Sequence, residues 1–159
     1  MRELTIATTD EMHALGRRLA EHLHHGDLVL LSGGLGAGKT TLAQGIGAGL
    51  DVDGPVLSPT FVIARVHHGG RIPLVHVDAY RLGSVDEIDD LDLDASLAGS
   101  VTVIEWGEGL VEGLTDDRLE VHIERSLASG DEVRRVVVTG VGQRWAGLAV
   151  NDVRQSDDR

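Results

Sequence analysis

The sequence predicts an α/β fold: one domain with a mostly parallel central sheet, antiparallel edge strands and a C-terminal hairpin. Three observations support this prediction. A buried apolar run, Leu28–Leu31, leads through a glycine-rich loop into a segment, Thr40–Leu50, with helical spacing of apolar residues. A second continuous apolar strand is predicted at Val101–Trp106. Near the C-terminus, Leu119–Glu124 and Glu132–Val138 alternate apolar and polar residues, which predicts an antiparallel hairpin.

The N-terminal segment predicts an edge strand followed by a helix. Leu4–Ala7 is a short apolar run that we interpret as the strand. Thr8 and Glu11 have the spacing of a capping box, in which the two side chains satisfy free N–H groups at a helix start. The apolar stripe of this helix consists of Met12, Leu15, Leu19 and Leu23. We expect the helix to end near Gly26.

The middle of the chain predicts two further strands and an acidic helix. Phe61–Val66 and Leu74–Tyr80 are the strands, joined by a hairpin connection at His67–Arg71. Ser84 and Glu87 form a second capping box, which opens the acidic helix.

Length and composition limit the class of protein. At 159 residues the chain is long enough for one domain with a core of its own. We assign residues 1–150 to this domain and expect the polar tail, 151–159, to be disordered. The chain has no cysteine, no run that approaches a membrane span and no signal-peptide pattern, so we expect a cytoplasmic protein that does not act at a membrane. A net charge of −12 disfavours direct binding to nucleic acid.

A phosphate-binding loop is the most specific feature of the sequence. Gly33, Gly38, Lys39 and Thr40 fill the pattern G-x-x-x-x-G-K-[ST] between the predicted strand and helix. Lys39 is the only lysine of the chain, beside 13 arginines. A compact ammonium suits a loop wrapped around phosphates, whereas a broad guanidinium does not. The single exception to the preference for arginine therefore indicates a working nucleotide site.

Two carboxylates follow predicted strands and are candidates for the same site, because ligands of α/β sheets bind at the carboxyl ends of the strands. Glu105 follows the apolar run that begins at Val101, and its carboxylate could hold Mg²⁺ opposite the hydroxyl of Thr40. Asp78 ends another strand and could orient or deprotonate an attacking water, or bind Mg²⁺ through water. The sequence does not divide these roles between Asp78 and Glu105.

Four other residues are less specific. Ser58 and Thr60 lie on a loop stiffened by prolines, where a switch would sense the γ-phosphate, although such a sequence is also a common turn. On their chemistry alone, we interpret His76 and Trp106 as packed structural residues.

The order of four motifs resembles one family. GKTT, SPTF, HVDAYRL and IEW occur in this order in a short chain, as in the TsaE (YjeE) family. The resemblance extends from Thr8 to about Gly140. It implies a P-loop ATPase that binds ATP and Mg²⁺ and acts with TsaB and TsaD. These proteins form threonylcarbamoyladenosine in tRNAs that read codons beginning with adenine, and TsaD performs the transfer, so tRNA is reached only through the complex.

The resemblance also implies roles for individual residues. The nucleotide-binding positions are Thr9, which precedes the first predicted helix, and Gly36, Ala37, Gly38, Lys39, Thr40 and Thr41. The metal positions are Thr40 and Glu105, and the catalytic positions are Asp78 and Lys39. The switch-like or partner-coupled positions are Ser58, Thr60, Tyr80, Arg81 and Trp106. One residue departs from the family pattern: Gly34 replaces the usual aspartate, which removes a negative charge near the phosphates.

Two alternatives stay open from the sequence. D-x-Y-R also occurs in nucleoside kinases, although no arginine-rich lid segment is recognisable here. A non-catalytic, nucleotide-gated binding module could dock through the acidic segment Ser84–Asp94. If the chain is an ATPase, the lack of a recognisable arginine finger predicts slow hydrolysis until a partner completes the site.

Overall fold

The computed structural model describes residues 2–33, 38–52, 64–78, 99–105, 117–125 and 133–146. The elements in these ranges are β1 (Arg2–Ile6), α1 (Thr9–Ala20), β2 (Leu28–Gly33), α2 (Lys39–Gly49), β3 (Ala64–His67), β4 (Leu74–Asp78), β5 (Val101–Glu105), β6 (Arg118–Arg125), β7 (Arg134–Val141) and a 3₁₀ helix (Gln143–Trp145). The predicted acidic helix and polar tail lie outside the described residues, so the 1–150 boundary stays a prediction.

The strands form one sheet in the order β1-β7-β6-β2-β5-β4-β3. The four central strands, β6, β2, β5 and β4, are parallel. β1, β7 and β6 pair antiparallel at one side, and β3 pairs antiparallel with β4 at the other. The predicted fold class is therefore confirmed. The C-terminal hairpin lies between β1 and the P-loop strand β2, so the first strand of the chain pairs with the last.

The start of α1 follows the predicted capping box. The hydroxyl of Thr8 accepts a hydrogen bond from the N–H of Glu11 at 3.1 Å. The carboxylate of Glu11 accepts one from the N–H of Ala7 at 2.7 Å. β1 ends at Ile6, which pairs with Arg134, the first residue of β7, and not at Ala7 as predicted.

The end of α1 differs from the prediction. The helix ends at Ala20, well before Gly26, although Leu23 continues the apolar stripe and is fully buried. The guanidinium of Arg71 donates to the carbonyl oxygens of Ala20 and Leu23 at 2.7 and 3.1 Å. A carboxylate oxygen of Asp27 accepts from the N–H of His24 at 2.7 Å. Arg71, which is distant in sequence, and Asp27, which is three residues after His24, take over backbone groups that a longer helix would pair internally.

Glycines bring α1 and α2 into close, parallel contact. A β-carbon at Gly16 would lie 2.4 Å from the carbonyl oxygen of Leu42, and one at Gly45 would lie 2.1 Å from that of His13. One at Gly49 would lie 2.5 Å from the β-carbon of Ala20. Residue numbers rise together along the two helices, so both helices begin at the same end of the molecule.

The main core lies between these helices and one face of the sheet. Its strand residues alternate along the chain, and among them are Val29, Leu31, Val101, Val103, Leu119, Val121 and Ile123. The other face is buried and mostly apolar over β2, β5 and β4, with Leu30, Val77 and Ile104. Over β6 and β7 that face carries exposed charges, including Glu124 and Arg135.

A 3₁₀ helix follows β7 and packs against β6 and β7. It was not predicted from the sequence. Trp145 is buried there, and the guanidinium of Arg144 stacks 4.2 Å from the centre of its ring. Arg144 also donates to the carbonyl oxygen of His22 at 2.8 Å and to the buried carboxylate of Asp27 at 3.1 Å. Among the described residues, no helix combines the length and hydropathy that a transmembrane span requires.

Candidate functional site

The two ends of the phosphate-binding loop have backbone conformations that favour glycine. β2 ends at Gly33 with φ of 142°, and α2 is preceded by Gly38 with φ of 111°. A side chain at either position would be strained. A β-carbon at Gly38 would also lie 3.3 Å from the terminal carbon of Met12, so α1 packs directly against this end of the loop. Gly36 and Ala37, predicted to bind the nucleotide, lie outside the described residues.

The side chain of Lys39 spans the loop from one end to the other. Lys39 is the first residue of α2 and is only 5% exposed. Its ammonium donates a hydrogen bond to the carbonyl oxygen of Gly33 at 2.9 Å. A buried ammonium is costly unless polar groups surround it. The carbonyl oxygen of Gly33 is such a group, and it holds the side chain of Lys39 in place. The basic group predicted from the sequence therefore lies at the mouth of the loop.

The N-terminus of α2 is open to an anion. Thr40 and Thr41 lie in its first turn, where the backbone N–H groups have no partner within the helix. The capping position is Gly38, which offers no side chain, and the first turn contains no acidic residue. A helix start of this kind attracts phosphate through its N–H groups and its dipole.

Glu105 ends β5 beside the P-loop strand. It is opposite Leu31 of β2 and opposite Asp78 of β4 in the sheet register. Its side chain has the same alternation as Val103, which places it on the face covered by α1 and α2. Glu105 is 5% exposed, so its carboxylate is largely withdrawn from solvent at the carboxyl edge of the sheet. The backbone of Asp78 lies next to it, whereas the side chain of Asp78 is outside the described part of the chain.

The interpretation of His76 as a packed residue is incomplete. His76 is fully buried, as that interpretation requires, but its Nε2 lies 2.5 Å from Oε2 of Glu105. The sequence signal was the spacing of His76 and Asp78. Residues two apart on a strand lie on the same face of the sheet. A residue of the next strand that pairs with Asp78 therefore has His76 as its diagonal neighbour on that face. No local motif marks this relation, because it depends on the pairing of β4 with β5.

Thr9 is placed differently from the prediction. It is the first residue of α1 and not a residue before the helix, because Thr8 is the capping residue. Thr9 is exposed, and the parallel packing of the helices puts the start of α1 at the loop end of the molecule. The remaining predicted site residues lie outside the described residues: Ser58, Thr60, Tyr80, Arg81 and Trp106.

Comparison with known proteins identifies the family. The profile of the family described as "Threonylcarbamoyl adenosine biosynthesis protein TsaE" matches residues 6–136. This chain belongs to the TsaE family.

Relatives from several bacteria agree with the assignment. A Streptomyces coelicolor protein named "tRNA threonylcarbamoyladenosine biosynthesis protein TsaE" is 65% identical over 144 residues, which cover 88% of this chain and 97% of the relative. A Bacillus subtilis protein with the same name is 39% identical over 140 residues, 87% of this chain and 85% of the relative. The crystal structure of Bacillus subtilis YdiB superimposes with a TM-score of 0.71 at 31% identity and covers 90% of this chain and 87% of YdiB. The similarity to these proteins thus covers most of the chain.

Proposed function

We propose that this TsaE-family protein is an ATPase subunit required to form threonylcarbamoyladenosine in tRNAs that read codons beginning with adenine. It acts in the cytoplasm with TsaB and TsaD. The observation that carries the proposal is Lys39, a buried ammonium bonded across a glycine-bounded loop at the start of a helix with no acidic first turn. The names of the TsaE relatives support the pathway.

The phosphates of ATP are assigned to the loop and to the start of α2. The N–H groups of residues 36–41 donate to the phosphate oxygens, and Lys39 compensates their negative charge. Arginine does not fit this position, because the side chain is buried and confined between α2 and the carbonyl group of Gly33.

The residues near the loop fit a magnesium ion. Magnesium prefers oxygen ligands and is usually held by one or two carboxylates together with substrate phosphates. The hydroxyl of Thr40 and the carboxylate of Glu105 are donors of this kind. One oxygen of Glu105 is bonded to His76, and the described residues provide no hydrogen bond to the other, Oε1. When bound, the metal neutralises charge on the β- and γ-phosphates. Asp78 is the candidate to orient the attacking water.

Hydrolysis is proposed to be slow in the isolated protein and faster in the complex, since no arginine finger is recognisable in the sequence. The net charge of −12 disfavours direct contact of this chain with tRNA. Contact with tRNA is therefore assigned to TsaB and TsaD. This subunit hydrolyses ATP, and TsaD carries out the modification of the tRNA.

A reconstitution with TsaB and TsaD of the same organism tests the proposal. We expect ATP and Mg²⁺ to change the association of the three proteins in a pull-down, and the modified nucleoside to be detected in tRNA by mass spectrometry only when this chain is present. Rapid hydrolysis by the isolated chain, unchanged by TsaB and TsaD, would contradict partner dependence. ATP-dependent phosphorylation of a nucleoside, with no effect on tRNA, would favour a kinase.

Lys39→Arg tests the loop itself. The variant keeps the charge but should abolish productive ATP binding and tRNA modification, because the guanidinium does not fit the confined position. Binding is measured with a fluorescent ATP analogue. Arg17→Lys, the reverse exchange at an exposed position of α1, is the matched control and should behave as the wild type. Full activity of Lys39→Arg would remove the main support for the proposal.

A further inference from the structure

His76 and Glu105 form a buried polar pair at the edge of the candidate site. Nε2 of His76 lies 2.5 Å from Oε2 of Glu105, and the two residues are 0% and 5% exposed. A hydrogen bond between two buried side chains restricts the orientation of both. When the carboxylate of Glu105 is ionised it only accepts hydrogen bonds, and Nε2 is then the donor.

The parallel pairing of β4 and β5 creates this contact. Asp78 is opposite Glu105, and His76 is opposite Val103. His76 and Glu105 therefore share one face of the sheet as diagonal neighbours, within reach of two long side chains. The contact is set by strand register, and both strands are held by several further hydrogen-bonded pairs.

The pair has a cost that packing alone does not explain. The second ring nitrogen of His76, Nδ1, is buried and has no hydrogen-bond partner among the described residues. An unsatisfied buried polar atom destabilises a fold, and an apolar residue of similar size would avoid the cost. Leu74, two positions earlier on β4 and on the same face as His76, is apolar and fully buried in the core, so this face of the strand accepts apolar residues.

We infer that His76 is a positioning residue that holds the carboxylate of Glu105 in the orientation required for Mg²⁺. This inference rests on the proposed function, in which Glu105 serves the metal. His76 engages Oε2 and leaves Oε1 for the ion or for one of its waters. Carboxylates that bind metals are commonly fixed by such outer partners, and removal of the partner weakens metal affinity or activity about 10- to 100-fold.

Two substitutions of similar shape separate the hydrogen bond from packing. His76→Gln places an amide N–H near the position of Nε2, whereas His76→Met fills a similar volume without a donor. The affinity for a fluorescent ATP analogue is measured as Mg²⁺ is titrated, and again without Mg²⁺. We expect His76→Met to raise the Mg²⁺ concentration at half-effect about 10- to 100-fold. Its Mg²⁺-free affinity should match the wild type, and His76→Gln should restore most of the Mg²⁺ response.

Thr102→Val is the matched control. Thr102 is a buried residue of β5 on the other face of the sheet, and within the described ranges its hydroxyl also has no hydrogen-bond partner. This variant should leave the Mg²⁺ response unchanged. If His76→Met does not fold, His76→Leu replaces it in the same comparison with His76→Gln.

The possible outcomes separate this inference from the proposed function. A wild-type protein whose ATP affinity does not respond to Mg²⁺ overturns the proposed function and this inference with it. A normal wild-type response that His76→Met retains overturns the inference alone. If His76→Met and His76→Gln lose the Mg²⁺ response equally, the role of His76 is structural and the inference is overturned. The same holds if His76→Met loses ATP affinity equally with and without Mg²⁺.

Discussion

Gly45 marks the closest approach of α1 and α2, and Gly45→Ala tests whether this contact holds the two helices in place. A β-carbon at this position would lie 2.1 Å from the carbonyl oxygen of His13 and 3.0 Å from the α-carbon of Gly16. Both are backbone atoms of a helix, so no side chain can rotate away to make room. The helices themselves have to move apart.

The expected cost follows from this geometry. A carbon atom approaches a carbonyl oxygen to about 3.3 Å, so the helices must separate by about 1 Å at this point. Overpacking that forces a backbone shift costs about 1–3 kcal/mol, and we expect the upper end of this range because α1 also carries fully buried Leu15 and Leu19. Replacement of glycine by alanine inside a helix returns about 1 kcal/mol. The net result is a loss of about 2 kcal/mol, or roughly 4–8 °C in Tm for a domain of this size.

Urea unfolding followed by circular dichroism measures this difference. Gly99→Ala is the control, because no atom lies within 4 Å of a β-carbon built there. That variant should stay within about 0.5 kcal/mol of the wild type, as is usual for surface substitutions. A Gly45→Ala protein that is more stable by about 1 kcal/mol, the value expected from helix propensity alone, would refute the close helix contact.

Two further predictions concern buried polar groups. Thr102→Val should stabilise the protein by about 1 kcal/mol in urea unfolding, because it removes a buried hydroxyl that has no hydrogen-bond partner in the described part of the chain; a destabilisation would contradict this account. Arg144→Ala should destabilise it by about 1–3 kcal/mol, because the buried carboxylate of Asp27 loses a charged donor. In an Asp27→Asn background the same substitution should cost less, and equal costs in both backgrounds would show that the ion pair does not contribute.

The fold was predictable where its determinants are local in the sequence. The capping box at Thr8 predicted the start of α1, and an apolar run followed by the glycine-rich loop predicted β2 and α2. The end of α1 was not predictable, because it depends partly on Arg71, which acts from a segment about 50 residues further along the chain. The sequence likewise predicted the C-terminal hairpin but not its neighbours, since strand order is decided by contacts between distant parts of the chain.

The same distinction applies to the site. Lys39 and Glu105 were predicted as site residues from local patterns. Lys39 lies within the glycine-rich loop pattern, and Glu105 directly follows an apolar run. His76 was assigned to packing because its contact with Glu105 crosses between two strands, 29 residues apart in sequence. The spacing of His76 and Asp78 is compatible with a contact between His76 and Glu105. Predicting that contact also requires the register of β4 and β5. A fully buried residue can therefore also contact a candidate site residue, and burial alone does not assign it to packing.

The parallel arrangement of α1 and α2 also bears on where an anion binds. Both helices begin at the carboxyl edge of the central strands, so two positive helix ends lie at the same end of the molecule. At α1 this end is already compensated: Asp10 and Glu11 lie in its first turn, and Thr8 caps it. At α2 the capping residue is a glycine, the first turn has no acidic residue, and Lys39 adds a positive charge. Electrostatics therefore favours phosphate at α2, and the close glycine contact keeps the compensated start of α1 beside it.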